Sequence, residues 1–212
     1  MTDFYEYLCT RLETGGFSTE DTLTSFLPLV REVLDSHAAG MVAPLEGLDA
    51  LHVESARIWF EDARRGEPRN NAAALRQIEV ASQAAVEIVT EQRHLTEVGE
   101  SQAKVVDLAV GDRDSQITRP VYLPGYVAWE HQLGHHDPLT DIFSLGMILA
   151  SLACGMDFTE PEALKAFVAG RRNLFALNGD LHPVLARAVS RMTELDRHRR
   201  VQDLDPLLHN LE

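Results

Sequence analysis

Apolar residues recur at helical spacing near the start of the chain. Phe4, Tyr7, Leu8 and Leu12 share one face, Gly15-Gly16 interrupts the pattern, and Leu23 to Leu34 resumes it. The spacing predicts a helix, a turn and a second helix, the latter capped by Ser18 or Thr19. After Gly40 the period shortens. Leu48 to Val53 and Ala56 to Phe60, separated by Glu54-Ser55, predict a small β-hairpin. Arg64 to Asn71 is polar and holds Gly66, Pro68 and two asparagines, which predicts a loop. From Ala72 to Arg93 the residues Leu75, Ile78, Ala81, Ala85 and Val89 line one face of a single amphipathic helix.

Beyond that helix, Ala103 to Val110 is β-like, and Gly111 to Glu130, with Pro120, Pro124 and Gly125, reads as irregular. From Thr140 onward the pattern is helical. Thr140-Asp141 can cap a helix running to Ala153, with Gly155 as its stop. Thr159-Glu160-Pro161-Glu162 has the form of a capping box with an early proline, and Gly170 ends that helix. His182-Pro183 opens another helix to about Leu195, and Asp203 to Leu211 forms the last. The expectation is a mainly α chain with a small β-hairpin region.

Composition narrows the function classes. The 212 residues are 45% hydrophobic and 25% charged, as in a globular protein with a sizeable core. A formal charge of −14 repels a phosphate backbone, which argues against a general nucleic-acid binder. The dense basic run Arg197-His198-Arg199-Arg200 is better read as a helix-flanking surface or a structural ion-pair site. Ile142 to Gly155, the longest apolar stretch, is shorter than the ~20 residues a membrane span needs. Asp3 and Glu6 stand where a secretory signal would be cationic, so the expected location is the cytoplasm. Cys9 and Cys154 have no CxxC spacing and suggest neither a disulfide framework nor a zinc site.

Two consecutive segments carry more information. Leu123-Pro124-Gly125-Tyr126-Val127-Ala128-Trp129-Glu130 is followed by Asp137-Pro138-Leu139-Thr140-Asp141-Ile142-Phe143-Ser144-Leu145-Gly146. Together they resemble the end of a protein-kinase activation segment and the start of the long buried helix after it, in which the family reads roughly T-P-G-Y-x-A-P-E and then S-D-I/V-Y/W-S-L-G. Leu195-Asp196-Arg197-His198-Arg199-Arg200 is similar to the later D-P-x-x-R. The resemblance implies that Arg200 pairs with Glu130, and that Asp141 accepts hydrogen bonds from the catalytic-loop backbone. Ala103 to Ala109 is similar to the strand and D-F-G turn that place a metal-binding aspartate, which would be Asp107, 23 residues before Glu130. Ser36-His37-Ala38-Ala39-Gly40 looks like the L-H-x-x-G that ends the helix before the catalytic loop.

The pattern breaks where kinase chemistry resides. Kinases continue V-H-R-D-x-K-x-x-N, the Asp orienting the substrate hydroxyl, the Lys meeting the transferred phosphoryl and the Asn holding a magnesium ion. This chain has Val42-Ala43-Pro44-Leu45-Glu46-Gly47-Leu48-Asp49-Ala50, so the base becomes Leu45, the Lys Gly47 and the Asn Ala50. Glu46 or Asp49 could serve only as displaced substitutes. Nothing resembles the Gly-rich loop or the V-A-I-K lysine, and the N-terminal lobe is expected to be absent. Leu45 and Asp107 are 62 residues apart, which implies a helical insertion over 64–102 between the degenerate catalytic loop and the DFG-like strand. One expectation is that the inserted helix covers the surface an N-terminal lobe would otherwise cover; the other is that it extends the domain at its edge.

The resemblance therefore implies a single kinase C-lobe-like domain over 1–212. Its function would be that of a pseudokinase, an interaction or regulatory scaffold whose partner is another protein or an adjacent domain, with no cofactor and no catalytic residue. The alternative is a diverged phosphotransferase that uses Asp107, binds ATP and Mg²⁺ weakly, and draws its phosphate-binding lobe from another segment or chain. His131 and His135 have a zinc-compatible spacing of four, but Gly134 and Pro138 argue for a loop, so no metal site is assigned.

Overall fold

The computed structural model describes residues 2–75, 106–110, 119–123, 125–171 and 173–211. The chain is mainly helical, with a three-stranded antiparallel sheet and a separate two-stranded one. Strand β1 (Thr2–Asp3) leads directly into α1 (Phe4–Glu13), where Asp3 caps the helix by accepting from the Tyr5 and Glu6 amides. Gly15 and Gly16 both have positive φ, which ends the pattern where the sequence expects it. Helix α2 (Thr19–Ala38) opens on a capping box of Ser18 and Asp21. It buries Phe26, Leu29, Val30 and Val33.

Strands β2 (Leu51–Glu54) and β3 (Arg57–Phe60) form the expected hairpin, with the turn at Ser55-Ala56, one residue later than Glu54-Ser55. Thr2 pairs with Val53, so β1 adds a third strand to the hairpin. Strands β4 (Val106–Val110) and β5 (Arg119–Leu123) pair with each other, and β5 lies in a segment whose prolines read as irregular. Pro120 is tolerated there because a two-stranded ribbon consists only of edges. The helix expected over Ala72 to Arg93 falls largely outside the described residues. Residues 72–75 are helical and Leu75 is buried; whether the rest covers a former cleft or extends an edge lies outside the described residues.

The core centres on α3 (Pro138–Cys154), in which every residue from Thr140 to Cys154 is buried. A helix buried all round must be wrapped by other elements. Helix α2 lies on one side of it and α5 (Pro183–Met192) on another. Gly146 sets the approach of α3 to α5, since a Cβ there would lie 2.6 Å from Met192 Cβ. The start of α3 corrects the sequence reading. Asp137 is the N-cap, and Thr140 completes the box from inside the helix. Helix α4 (Pro161–Gly170) begins without the expected capping box, because Thr159 donates its hydroxyl to Asp157 instead. The last helix, α6 (Asp205–Leu211), closes the chain against α2 and α5. Among the described residues no helix is long and apolar enough to cross a membrane.

Candidate functional site

Two buried polar knots and one cavity surround the N-terminal end of α3. The first knot forms around Glu130, which sits in a 3-10 turn, Trp129–Leu133, with no exposure of its side chain. Its Oε1 accepts from Arg200 Nη1 at 2.6 Å and from Arg197 Nη1 at 2.9 Å. Arg200 also donates Nε to the Glu194 carbonyl at 2.9 Å and Nη1 to the Leu139 carbonyl at 2.7 Å. Its guanidinium lies 4.8 Å from the Phe143 ring centroid. Burial pulls the Arg200 pKa down and Glu130 opposes that shift. Arg197 extends the knot to Asp137, whose carboxyl falls to about 2: burial alone would raise it, and Arg197 with hydrogen bonds from His135 and Thr140 outweighs that. Two carboxylates and two guanidinia balance in charge, as buried ions require.

The second knot is built on Asp141, which is fully buried in the first turn of α3. The Ala43 amide donates to Oδ2 at 2.8 Å. His37 Nε2, in the last turn of α2, lies 2.9 Å from the same oxygen, and His136 Nε2 lies 2.7 Å from Oδ1. Asp141 thereby ties the end of α2, the 42–50 loop and the 135–137 segment to one point.

That loop holds Leu45, Gly47 and Ala50, the residues that the sequence resemblance sets opposite a kinase's base, Lys and Asn. Leu45 is 0% exposed and belongs to the core. Glu46 and Asp49 are exposed and line a cavity of about 460 Å³ together with Val42, Gly66, Arg69 and His136. The polar segment after Arg64 forms a strap across this cavity. Val42 and Gly66 exchange backbone hydrogen bonds at 2.9 and 3.0 Å, and Arg69 and His136 do so at 2.8 Å in both directions. Asn71 then donates its side-chain amide to the Leu133 carbonyl and its backbone N–H to His135 Nδ1. The strap explains why a stretch that reads as loop is nevertheless fixed.

The structure brings Glu130 to Arg200, and Asp141 to the backbone of the 42–50 loop. Asp107 lies within β4, opposite Tyr122, rather than in a turn at the end of a strand. The insertion expected over 64–102, between the 42–50 loop and the strand that carries Asp107, lies largely outside the described residues. The imidazole pair read from the spacing also changes. Gly134, in the left-handed conformation, ends the 3-10 turn, and His131 stacks edge-on against His136, with centroids 4.5 Å apart, rather than meeting His135. Sequence reasoning missed Arg197 and His37 as partners, although both stand inside motifs that it quoted. No family model, no curated protein and no solved structure matches the chain.

Proposed function

We propose that the chain is a kinase C-lobe-like module that has kept the structural ties of that fold and lost its phosphoryl-transfer chemistry, and that it acts as an interaction or regulatory scaffold. The observation that carries this reading is the state of the 42–50 loop. Asp141 anchors it through the Ala43 amide at 2.8 Å, while Leu45, at the position of the base, is buried in the core. An apolar side chain cannot accept a proton from a hydroxyl, and neither Gly47 nor Ala50 can reach a phosphate or a metal ion. The Glu130–Arg200 pair supports the same register at the far end.

Glu61 and Asp62 follow β3, and beside Asp107 a second candidate for the metal-binding aspartate of the resemblance is Asp62. Its side chain is 84% exposed and pairs with Arg65 at 2.9 Å. An exposed carboxylate already paired with a guanidinium is a poor start for a magnesium site, which favours few protein carboxylates completed by substrate phosphates.

The reading is tested by incubating the purified chain with ATP, Mg²⁺ or Mn²⁺ and generic acceptor proteins, then mapping phosphorylation by mass spectrometry. No phosphate transfer above that of a heat-denatured sample is expected. Transfer abolished by Asp62→Ala or Asp107→Ala would establish the phosphotransferase alternative instead.

A further inference from the structure

Next to the Asp141 knot, and sharing His136 with it, lies a set of three side chains. Glu46, His131 and His136 each offer a ligand atom, and the three atoms lie within 4.8 Å of one another. We propose that these residues form a binding site for a transition-metal dication of the zinc class, with the remaining coordination position open to the cavity beside the 42–50 loop.

His136 is already arranged as a ligand. Its Nε2 faces Asp141 Oδ1 at 2.7 Å, so the ring donates there and turns Nδ1 toward Glu46 Oε1 at 3.2 Å. With Nε2 engaged by Asp141, Nδ1 is the ring atom that faces Glu46 and is placed to share a cation with it. Metal-binding histidines characteristically donate their second nitrogen to a carboxylate in this way. His131 supplies an independent observation. Both of its ring nitrogens are closed off from solvent and neither has a hydrogen-bond partner. A buried polar atom left unpaired costs about 1–3 kcal/mol, a cost that ligation at one nitrogen would relieve in part.

The position between these ligands is now served by Arg69. Its Nη2 bonds Glu46 Oε1 and lies 3.4 Å from His136 Nδ1. The Arg69 side chain is 52% exposed and can leave toward solvent, so a dication and the guanidinium compete for one negative, nitrogen-rich position. Two imidazoles and one carboxylate form a set that suits zinc, cobalt or nickel rather than magnesium or calcium. Glu46 and His136 line the cavity, which gives the ion a path of entry. Bound there, the ion would fasten the 42–50 loop to the turn that carries His131. The site does not depend on the kinase-like reading.

The test uses the full chain, treated with chelator and then titrated with Co²⁺ by visible absorption and with Zn²⁺ by calorimetry. One equivalent is expected, with Co²⁺ bands in the visible. Glu46→Gln and His131→Gln should each weaken binding by at least about tenfold. Glu46 is half-exposed, so its variant should melt like the parent without metal. Arg69→Ala should bind at least as tightly as the parent, because it removes the competitor. Failure of the parent chain to take up one equivalent overturns the proposal. So does parental affinity in the Glu46→Gln variant, or loss of binding in Arg69→Ala.

Discussion

Arg200 Nη1 lies 2.6 Å from Glu130 Oε1, and neither side chain has any exposed surface. The contact joins the turn before α3 to the segment after α5. Arg197 donates to the same carboxylate oxygen and also pairs with Asp137. Removing one member of a buried pair strands the other in a medium that solvates it poorly, which costs about 3–5 kcal/mol. Arg200→Ala should lose that much in urea unfolding. Arg200→Lys should recover only part of it, because an ammonium cannot reproduce the fork that reaches Glu130, Glu194 and Leu139 together. A loss below about 0.5 kcal/mol in Arg200→Ala would show that the knot is not a stabilising element.

Asp141 accepts from three directions, and an asparagine in its place has only one acceptor oxygen. Asp141→Asn must therefore turn an amide nitrogen toward at least one of Ala43 N–H, His37 or His136. A cost of about 1–3 kcal/mol is expected. Hydrogen exchange at the Ala43 amide should quicken more than the global loss explains. Unchanged protection at Ala43 would mean that the carboxylate does not anchor the loop.

The β2–β3 turn is held in a conformation that its residues disfavour. Ser55 has φ 51° and Ala56 φ 64°, both in the left-handed region. A two-residue hairpin of this kind prefers Asn-Gly. Replacing Ser55-Ala56 by Asn-Gly should stabilise the chain by about 1 kcal/mol, since a left-handed L-residue costs about 1–2 kcal/mol. Equal or lower stability by thermal unfolding would contradict the turn geometry.

The two thiols should differ in reactivity. Cys154 is buried near the end of α3, and burial raises its pKa from 9.0 to about 11, whereas Cys9 in α1 is partly exposed. At pH 8 a thiol reagent should modify Cys9 first and leave Cys154 until the chain unfolds. The raised pKa also fixes a sign. Between pH 9 and 11 the unfolded chain has lost the Cys154 proton while the folded chain retains it, so the thiol's contribution to stability falls as pH rises through that window. The fall should be shallower in Cys154→Ala than in the parent chain; identical slopes would refute the assignment.

Much of the helical layout was legible in the sequence, because Phe4-Tyr7-Leu8-Leu12 and the buried run from Ile142 carry their own periodicity and stops. The hairpin was legible too, to within one residue of its turn. Other features depended on contacts that spacing cannot express. Thr2–Asp3 is too short to read as a strand, and it is one only because Val53 and His52 lie opposite. β5 was hidden by Pro120, and the strap from Gly66 to Asn71 by a polar composition whose backbone bonds go to Val42 and His136. In the candidate site, the family-like motifs brought out Glu130, Arg200 and Asp141. Glu46 stands in the 42–50 loop, about 85 residues before His131 and His136, and only the fold brings the three together. Asp107, chosen as an Asp within an apolar run, lies inside β4 opposite Tyr122, a pairing that spacing alone does not show.

The proposed scaffold would have a kinase-like fold without nucleotide chemistry. Thermal unfolding of the purified chain, followed while ATP is titrated at fixed Mg²⁺ or Mn²⁺, tests it most directly. No ATP-dependent shift beyond that of the metal alone is expected up to millimolar ATP. A saturable rise in the midpoint, equivalent to ~2.7 kcal/mol at a hundredfold excess over Kd and lost in Asp62→Ala or Asp107→Ala, would contradict it.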